Sequence, residues 1–209
     1  SREWTRTIGS IAQDSAFGVA VDSNDDIYIT GETYGDFDGN TLLGGSRDIA
    51  IAKFKSNGDK LWSKQFGTGR DEIAYDIKID SNNSVYITGW TDGSLEGVVN
   101  TGPGHEDVFL MKLNPDGSVQ WTKLLGSTSN SIGSNSEVGQ KITIDSEDNV
   151  IVTGWTKGAF DGNTLSGSHD VIVFKYNSSG IKQWSKQIGS SSSDYGYGIV
   201  SDSENNIYV

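Results

Sequence analysis

The sequence predicts an all-β fold: a β-propeller of four-stranded antiparallel blades, with about 3.5 to 4 blades in this chain and the possibility of half of a larger ring. Three observations carry that prediction. The motif Trp-x-x-x-[Ile/Phe/Leu]-Gly recurs at Trp4, Trp62, Trp121 and Trp184, a period of about 60 residues, too long for a helical hairpin repeat and suited to one blade. Glycine is abundant at 27, proline scarce at 2, and the apolar residues are mostly Ile, Val, Phe, Tyr and Trp in short runs, a β composition with turn punctuation. Short Asp/Ser/Asn or Gly-bearing clusters separate those runs, as hairpin turns do.

Within a unit, the first strand is Phe17 to Asp22, with Tyr75 to Asp80, Gln140 to Asp145 and Tyr197 to Asp202 as its counterparts. A turn opening on Asp22, Asp80, Asp145 or Asp202 leads to the second strand at Ile27 to Gly31, Val85 to Gly89, Val150 to Gly154 and Ile207 to Val209. The third strand, Asp48 to Phe54, Asp107 to Leu113 and Asp170 to Tyr176, is apolar without alternation, so sheets must cover both of its faces. A turn with glycine at 58, 117 or 180 then leads to the fourth strand, whose Trp wedges against the neighbouring blade. The chain reads as one repeat array over 1–209, with units 4–61, 62–120 and 121–183 and a partial unit 184–209, truncated from a longer protein. One outer strand, three blades and two inner strands leave a blade unfinished. Either a four-bladed ring closes with a gap, or two chains complete a ring of about eight blades, and the unpaired edge at Val209 favours self-association.

Composition excludes several functions. The net charge of −12 argues against nucleic acid and against an anionic membrane surface, because phosphate binding rests on clustered Lys and Arg. No apolar run approaches the length that spans a bilayer, so membrane insertion is not expected. With no cysteine, thiolate metal sites and disulfides are impossible. Asp14, Glu72, Glu137 and Asp194, then Asp48, Asp107 and Asp170, and Lys53, Lys112 and Lys175 hold the same places in each unit. Groups copied once per blade are expected to make hydrogen bonds and ion pairs between blades.

The frame Trp-x-x-x-[Ile/Phe/Leu]-Gly, Asp-Ser-x-x-[Asp/Asn/Ser]-[Ile/Val]-[Tyr/Ile]-[Ile/Val]-Thr-Gly-x-Thr, then Asp with an apolar strand and Lys, resembles the SBBP type of bacterial β-propeller repeat, related in layout to NHL-type blades. The resemblance implies a propeller of an extracellular or cell-envelope bacterial protein, in a family with members in spirochaetes, most of them without an assigned activity. A Ser/Asn/Gly segment, Ser127 to Ser136, departs from the frame and lengthens the third unit alone.

Candidate function sits on the face that gathers the long loops Glu32 to Arg47, Trp90 to Glu106 and Trp155 to His169. Aromatic rings beside carboxylates suit sugar faces or peptide side chains, which selects Trp90, Trp155, Glu32, Asp36, Asp38, Glu96 and Asp161 as ligand-binding candidates. Phe37, Leu95 and Phe160 occupy equivalent places and are expected to pack the loops onto the blades. Trp4, Trp62, Trp121, Trp184 and the turn aspartates 22, 80, 145 and 202 are structural repeat positions. A calcium reading of Asp22-x-Asn24-x-Asp26 lacks the central glycine and distal Glu of a calcium loop. His105 and His169 fall short of a zinc set. The Gly-to-Trp spacing is one residue too wide for a sialidase Asp box, and no Gly-x-Ser-x-Gly elbow is present. No cofactor, metal or catalytic group is expected. The expected function is a non-catalytic binding module for a glycan or protein; a purely architectural segment is the alternative, and a propeller lyase or hydrolase the third reading.

Overall fold

The computed structural model describes residues 3–100, 105–127 and 136–209. Among these, three antiparallel four-stranded meanders follow one another. The first is β1 (Asp14–Val21), β2 (Ile27–Thr33), β3 (Asp48–Phe54) and β4 (Lys60–Phe66). The second is β5 (Glu72–Ile79), β6 (Val85–Thr91), β7 (Asp107–Leu113) and β8 (Val119–Leu125), and the third is β9 (Glu137–Ile144), β10 (Val150–Thr156), β11 (Asp170–Tyr176) and β12 (Lys182–Ile188). A hairpin of β13 (Val200–Ser201) and β14 (Ile207–Tyr208) follows. First strands of successive sheets approach one another, β1 to β5, β5 to β9 and β9 to β13, so they form the inner edge and the Trp strands the outer one.

Two predicted strands differ. Trp4 to Gly9 is not a strand; it lies against the first blade through Trp4 Nε1 to Ser56 O (2.7 Å), Arg6 Nε to Gly58 O (2.9 Å) and Asp38 N to Gly9 O (3.2 Å). A third strand for it to pair with is not among these 209 residues. The last first strand shrinks to Val200–Ser201, because the counterparts of Gly31 to Thr33, which pair the start of β1, are not among these 209 residues. The segment 128–135, most of the lengthening noted at Ser127 to Ser136, lies outside the described residues.

The core consists of seams between blades. Every residue of β3 and β7 is buried, as the unbroken apolar runs require. Ile49 and Ile51 of β3 share one cluster with Ile77, Ile87, Phe109 and Met111 of the second blade, and Val108 and Leu110 share the next with Val152, Ile172 and Phe174 of the third. The outer tryptophans lock the same seams. Trp62 Nε1 donates to Pro115 O (3.1 Å) and Trp121 Nε1 to Ser178 O (3.4 Å), each in the next blade's last turn. Gly58, Gly117 and Gly180 in those turns have φ of 86°, 81° and 76°, and a Cβ there would press on Trp4, Trp62 and Trp121. Left-handed backbone and an aromatic lid both demand glycine.

The first strands are bulged opposite the second-strand glycine. The ladder skips Phe17 in β1, Tyr75 in β5 and Gln140 in β9. A Cβ on Gly31, Gly89 or Gly154 would overlap the carbonyl oxygen of Ser15, Ile73 or Val138. The Thr-Gly-x-Thr signature therefore exists to admit a bulge, and a bulge re-aims the side chain it carries.

Candidate interaction site on the long-loop face

The long loops begin where β2, β6 and β10 end, which brings them to one end of the blades beside the starts of the first strands. Phe37, Leu95 and Phe160 are at most 4% exposed and pin the loops to the sheets. Each precedes or opens a tight turn in which Asp38, Glu96 or Asp161 has φ near 50°. Asp38 is bound by Lys60 and Ser63, and Asp161 by Lys182 (2.5 Å) and Ser185 (2.5 Å). Burial pushes the Asp38 carboxyl up, but Lys60 and Ser63 outweigh it and hold it below its usual range. These two carboxylates therefore close the loops onto the outer strands. Asp36 accepts from Leu42 N (2.9 Å) within its own loop, and Glu96 is exposed.

Two of the selected residues are buried, contrary to the exposure their loop positions suggested. Trp90 and Glu32 are each 6% exposed. Arg47 brings them together: its Nη1 lies 3.1 Å from Glu32 Oε2 and 3.1 Å from the Tyr34 hydroxyl, its Nε is 3.5 Å from Asp71, and its guanidinium carbon sits 5.0 Å from the Trp90 ring centre. Trp90 packs with Ile73 and Val138 and donates to the Tyr75 hydroxyl at 3.3 Å. Glu32 occupies the Trp position of the first blade, and Arg47 is the counter-ion that makes burial of that carboxylate tolerable. The group seals the seam between the first two blades.

Trp155 behaves differently. It is partly buried, and rings continue from it toward the surface. His169 lies 5.2 Å and Tyr195 5.8 Å from Trp155, edge-on, His169 and Tyr195 are 4.9 Å apart, and Tyr197 stacks on Tyr195 at 5.9 Å. His169 Nδ1 is 3.2 Å from the Tyr195 hydroxyl and 3.2 Å from Ser193 Oγ, while Lys157 Nζ stands 6.0 Å from the Trp155 ring centre. Burial and the Lys157 charge both push the His169 imidazole below its ordinary value. Tyr195 and Tyr197 are 39% and 66% exposed. Tyr197 holds the bulge position of Phe17 and Tyr75, which themselves contact at 5.5 Å. Aromatic side chains at Phe17, Tyr75 and Tyr197, the same place in three units out of four, are the sequence signal for this inner rim, which lies outside the long loops.

The Asp turns at the opposite end are occupied. Asp22 Oδ1 accepts from the backbone of Asn24 and Asp26, and Oδ2 from the Tyr28 hydroxyl and Lys53 Nζ (3.1 Å). Asp80 repeats the set with Asn82, Ser84, Tyr86 and Lys112, and Asp145 with Glu147, Asn149 and Lys175 (2.6 Å). Burial pushes the Asp22 and Asp145 carboxyls up, but these donors outweigh it and hold both low. A lysine ammonium stands where a calcium ion would need an oxygen, so these are turns. Asp202 keeps Glu204, Asn206 and Tyr208 as donors. Successive turns interlock: Ser23 N donates to Asn83 Oδ1, Ser81 N to Asp148 Oδ1 and Ser146 N to Asn205 Oδ1, each at 3.0 Å, and each acceptor has φ near 60°. Among the described residues, no three His, Asp or Glu side chains converge as metal ligands.

The family model for the SBBP beta-propeller repeat matches residues 3–38, 61–96, 120–161 and 183–209. Among curated proteins, an uncharacterised WD repeat-containing protein of Acanthamoeba polyphaga mimivirus is 24% identical over 244 residues, which covers 93% of this chain and 17% of the relative.

Proposed function

The chain belongs to the SBBP family of β-propeller repeats, and on that premise we propose that it is a non-catalytic interaction module of a bacterial envelope or extracellular protein, binding a glycan or a protein at the inner rim of its long-loop face. The observation that carries this reading is the run of touching rings Trp155, His169, Tyr195 and Tyr197, which starts in a packed seam and ends in solvent. Rings anchored at one end and wet at the other offer flat apolar area with a polar edge, the surface that sugar faces and peptide side chains use. The acidic balance of the chain turns polyanions away.

The test is an immobilised glycan library and a set of envelope protein extracts fractionated to single components, probed with wild type and with Tyr197→Ala and Trp155→Ala. The expected result is a bound component lost in both variants while Tyr197→Ala melts like wild type. Binding unaffected by both substitutions, or none to any probe, supports the architectural alternative, which the buried Trp90 and Glu32 favour. Self-association is proposed on separate grounds. Val19 is 63% exposed where Ile77 and Ile142 of the next blades are at most 1% exposed, and Ile188 is 62% exposed where Phe66 and Leu125 are buried.

A further inference from the structure

At the long-loop end of each joint between blades, the residue before a third strand meets a residue of the link that follows: Arg47 with Asp71, Glu106 with Ser136 and His169 with Ser193. Backbone bonds fix this register, Glu72 N to Arg47 O (3.1 Å), Glu137 N to Glu106 O (2.8 Å) and Asp194 N to His169 O (2.8 Å). The three joints are therefore one frame filled with different chemistry. The first holds a cation that the chain itself answers, since Arg47 has Glu32 at 3.1 Å and Asp71 at 3.5 Å. The second holds an acid, Glu106, which accepts from the Ser136 hydroxyl.

The third joint has the cation and lacks the acid. Trp155 stands where the first blade has Glu32, Ser193 where the first joint has Asp71, and Lys157 where the first blade has Tyr34. Lys157 is exposed, with Nζ 6.0 Å from the Trp155 ring centre, and His169 stands edge-on to the same ring at 5.2 Å. His169 Nδ1 faces the hydroxyls of Tyr195 and Ser193, each at 3.2 Å, which leaves its Nε2 edge without a hydrogen bond among the described residues. The carboxylates nearby are committed elsewhere. Asp194 accepts the N–H (2.7 Å) and hydroxyl (2.9 Å) of Ser190, Asp170 accepts from Ser166 N (2.8 Å) and Gln187 (2.9 Å), and Glu137 from Thr156 (2.9 Å). Burial pushes the Glu106 carboxyl up although the Lys157 charge opposes it. Among the described residues neither Lys157 nor His169 has a carboxylate at ion-pair distance.

We propose that at the third joint the ligand supplies the missing acid: the inner rim binds a glycan carrying an isolated uronic acid, its carboxylate held by the Lys157 ammonium and the free edge of His169. This rests on the interaction-module reading above and names the ligand of that same site. The first joint shows the arrangement complete, with the Glu32 carboxylate held by a cation that the Trp90 ring covers. Hydrogen bonds from a cation to a carboxylate are roughly twice as strong as neutral ones, so the acid is the group that such a site selects. What lies beside the cations favours a sugar over an acidic peptide side chain. Tyr195 and Tyr197 stack at 5.9 Å with planes 23° apart, and both are exposed, so they form a platform for the face of a pyranose ring. A glutamate side chain has no face to lay on it. The net charge of −12 repels a densely charged polyuronate, which is why the acid is an isolated one.

Calorimetric titration of the whole chain with methyl glucuronoside, methyl glucoside and N-acetylglutamate amide tests the assignment. The glucuronoside should bind about tenfold more tightly than the glucoside, and more tightly than the glutamate derivative. Lys157→Gln should abolish the preference for the acid and leave the melting temperature unchanged, because the side chain is exposed, whereas Tyr197→Ala should weaken both sugars. If the Gln variant does not fold, the wild-type resonances of the His169 ring and the Lys157 side chain decide: they should shift with the glucuronoside, and their standing still overturns the proposal. Equal binding of the two sugars overturns it while leaving the interaction-module reading in place. Binding of the glutamate derivative as tight as that of the glucuronoside overturns the choice of a sugar. Binding of none of the three overturns it as well, and the glycan library then decides the broader reading.

Discussion

The indole of Trp62 serves two neighbours at once, resting edge-on against Tyr28 of its own blade (5.9 Å) and donating to Pro115 O of the next. Trp62→Ala removes both contacts, and because the ring is only partly buried the cost should fall at the lower end of the aromatic truncation range, about 3 kcal/mol, measured by urea denaturation. Gly89 is bound more tightly by its surroundings, since a Cβ there would overlap the Ile73 carbonyl oxygen across the bulge. Gly89→Ala should cost about 2–3 kcal/mol in the same assay, whereas a glycine needed only for flexibility would cost far less. Both positions were visible in the sequence as invariants of the repeat. The buried state of Trp90 was not: besides Ile73 of its own blade it depends on Arg47 from the first blade and Val138 from the third. Periodicity locates a residue within its own sheet, while its exposure is decided by the sheet packed against it.

At the scale of the element, the third strand was legible because burial on both faces leaves a run without alternation, and β3 and β7 are fully buried as that pattern demands. The lysine ending that run has a cost and a purpose. Lys112 is 6% exposed, pairs with Asp80 at 3.5 Å and reaches Ser178 O of the third blade at 3.0 Å. Lys112→Ala leaves the buried Asp80 carboxylate without its cation and should destabilise the chain by about 3–5 kcal/mol, read from thermal or denaturant unfolding. A loss under about 1 kcal/mol would mean that the donors Asn82, Ser84 and Tyr86 suffice for Asp80. The bulge in the first strand was less legible. An extra residue in one strand shows only against its partner, and so the rings at Phe17, Tyr75 and Tyr197 read in the sequence as ordinary strand residues, whereas the ladder skips the first two.

At the scale of the molecule, the apolar seam that each blade shares with the next has its two outermost faces bare, at Val19 and Val21 on one side and Ile188 on the other. Light scattering of the 209-residue chain over a dilution series should show the mass of two chains at high concentration falling toward one, and Val19→Asp should shift that equilibrium toward the single chain. A single-chain mass at every concentration would set self-association aside. The interlocked turns at the other end carry a consequence of a different kind. The hydroxyl residue of one turn engages the left-handed residue of the next turn and no other, three times in succession. Such a rule is nearest-neighbour, like a link in a chain. It holds no count of the links, so duplicating one unit in the gene lengthens the arc without any existing contact having to be rewritten.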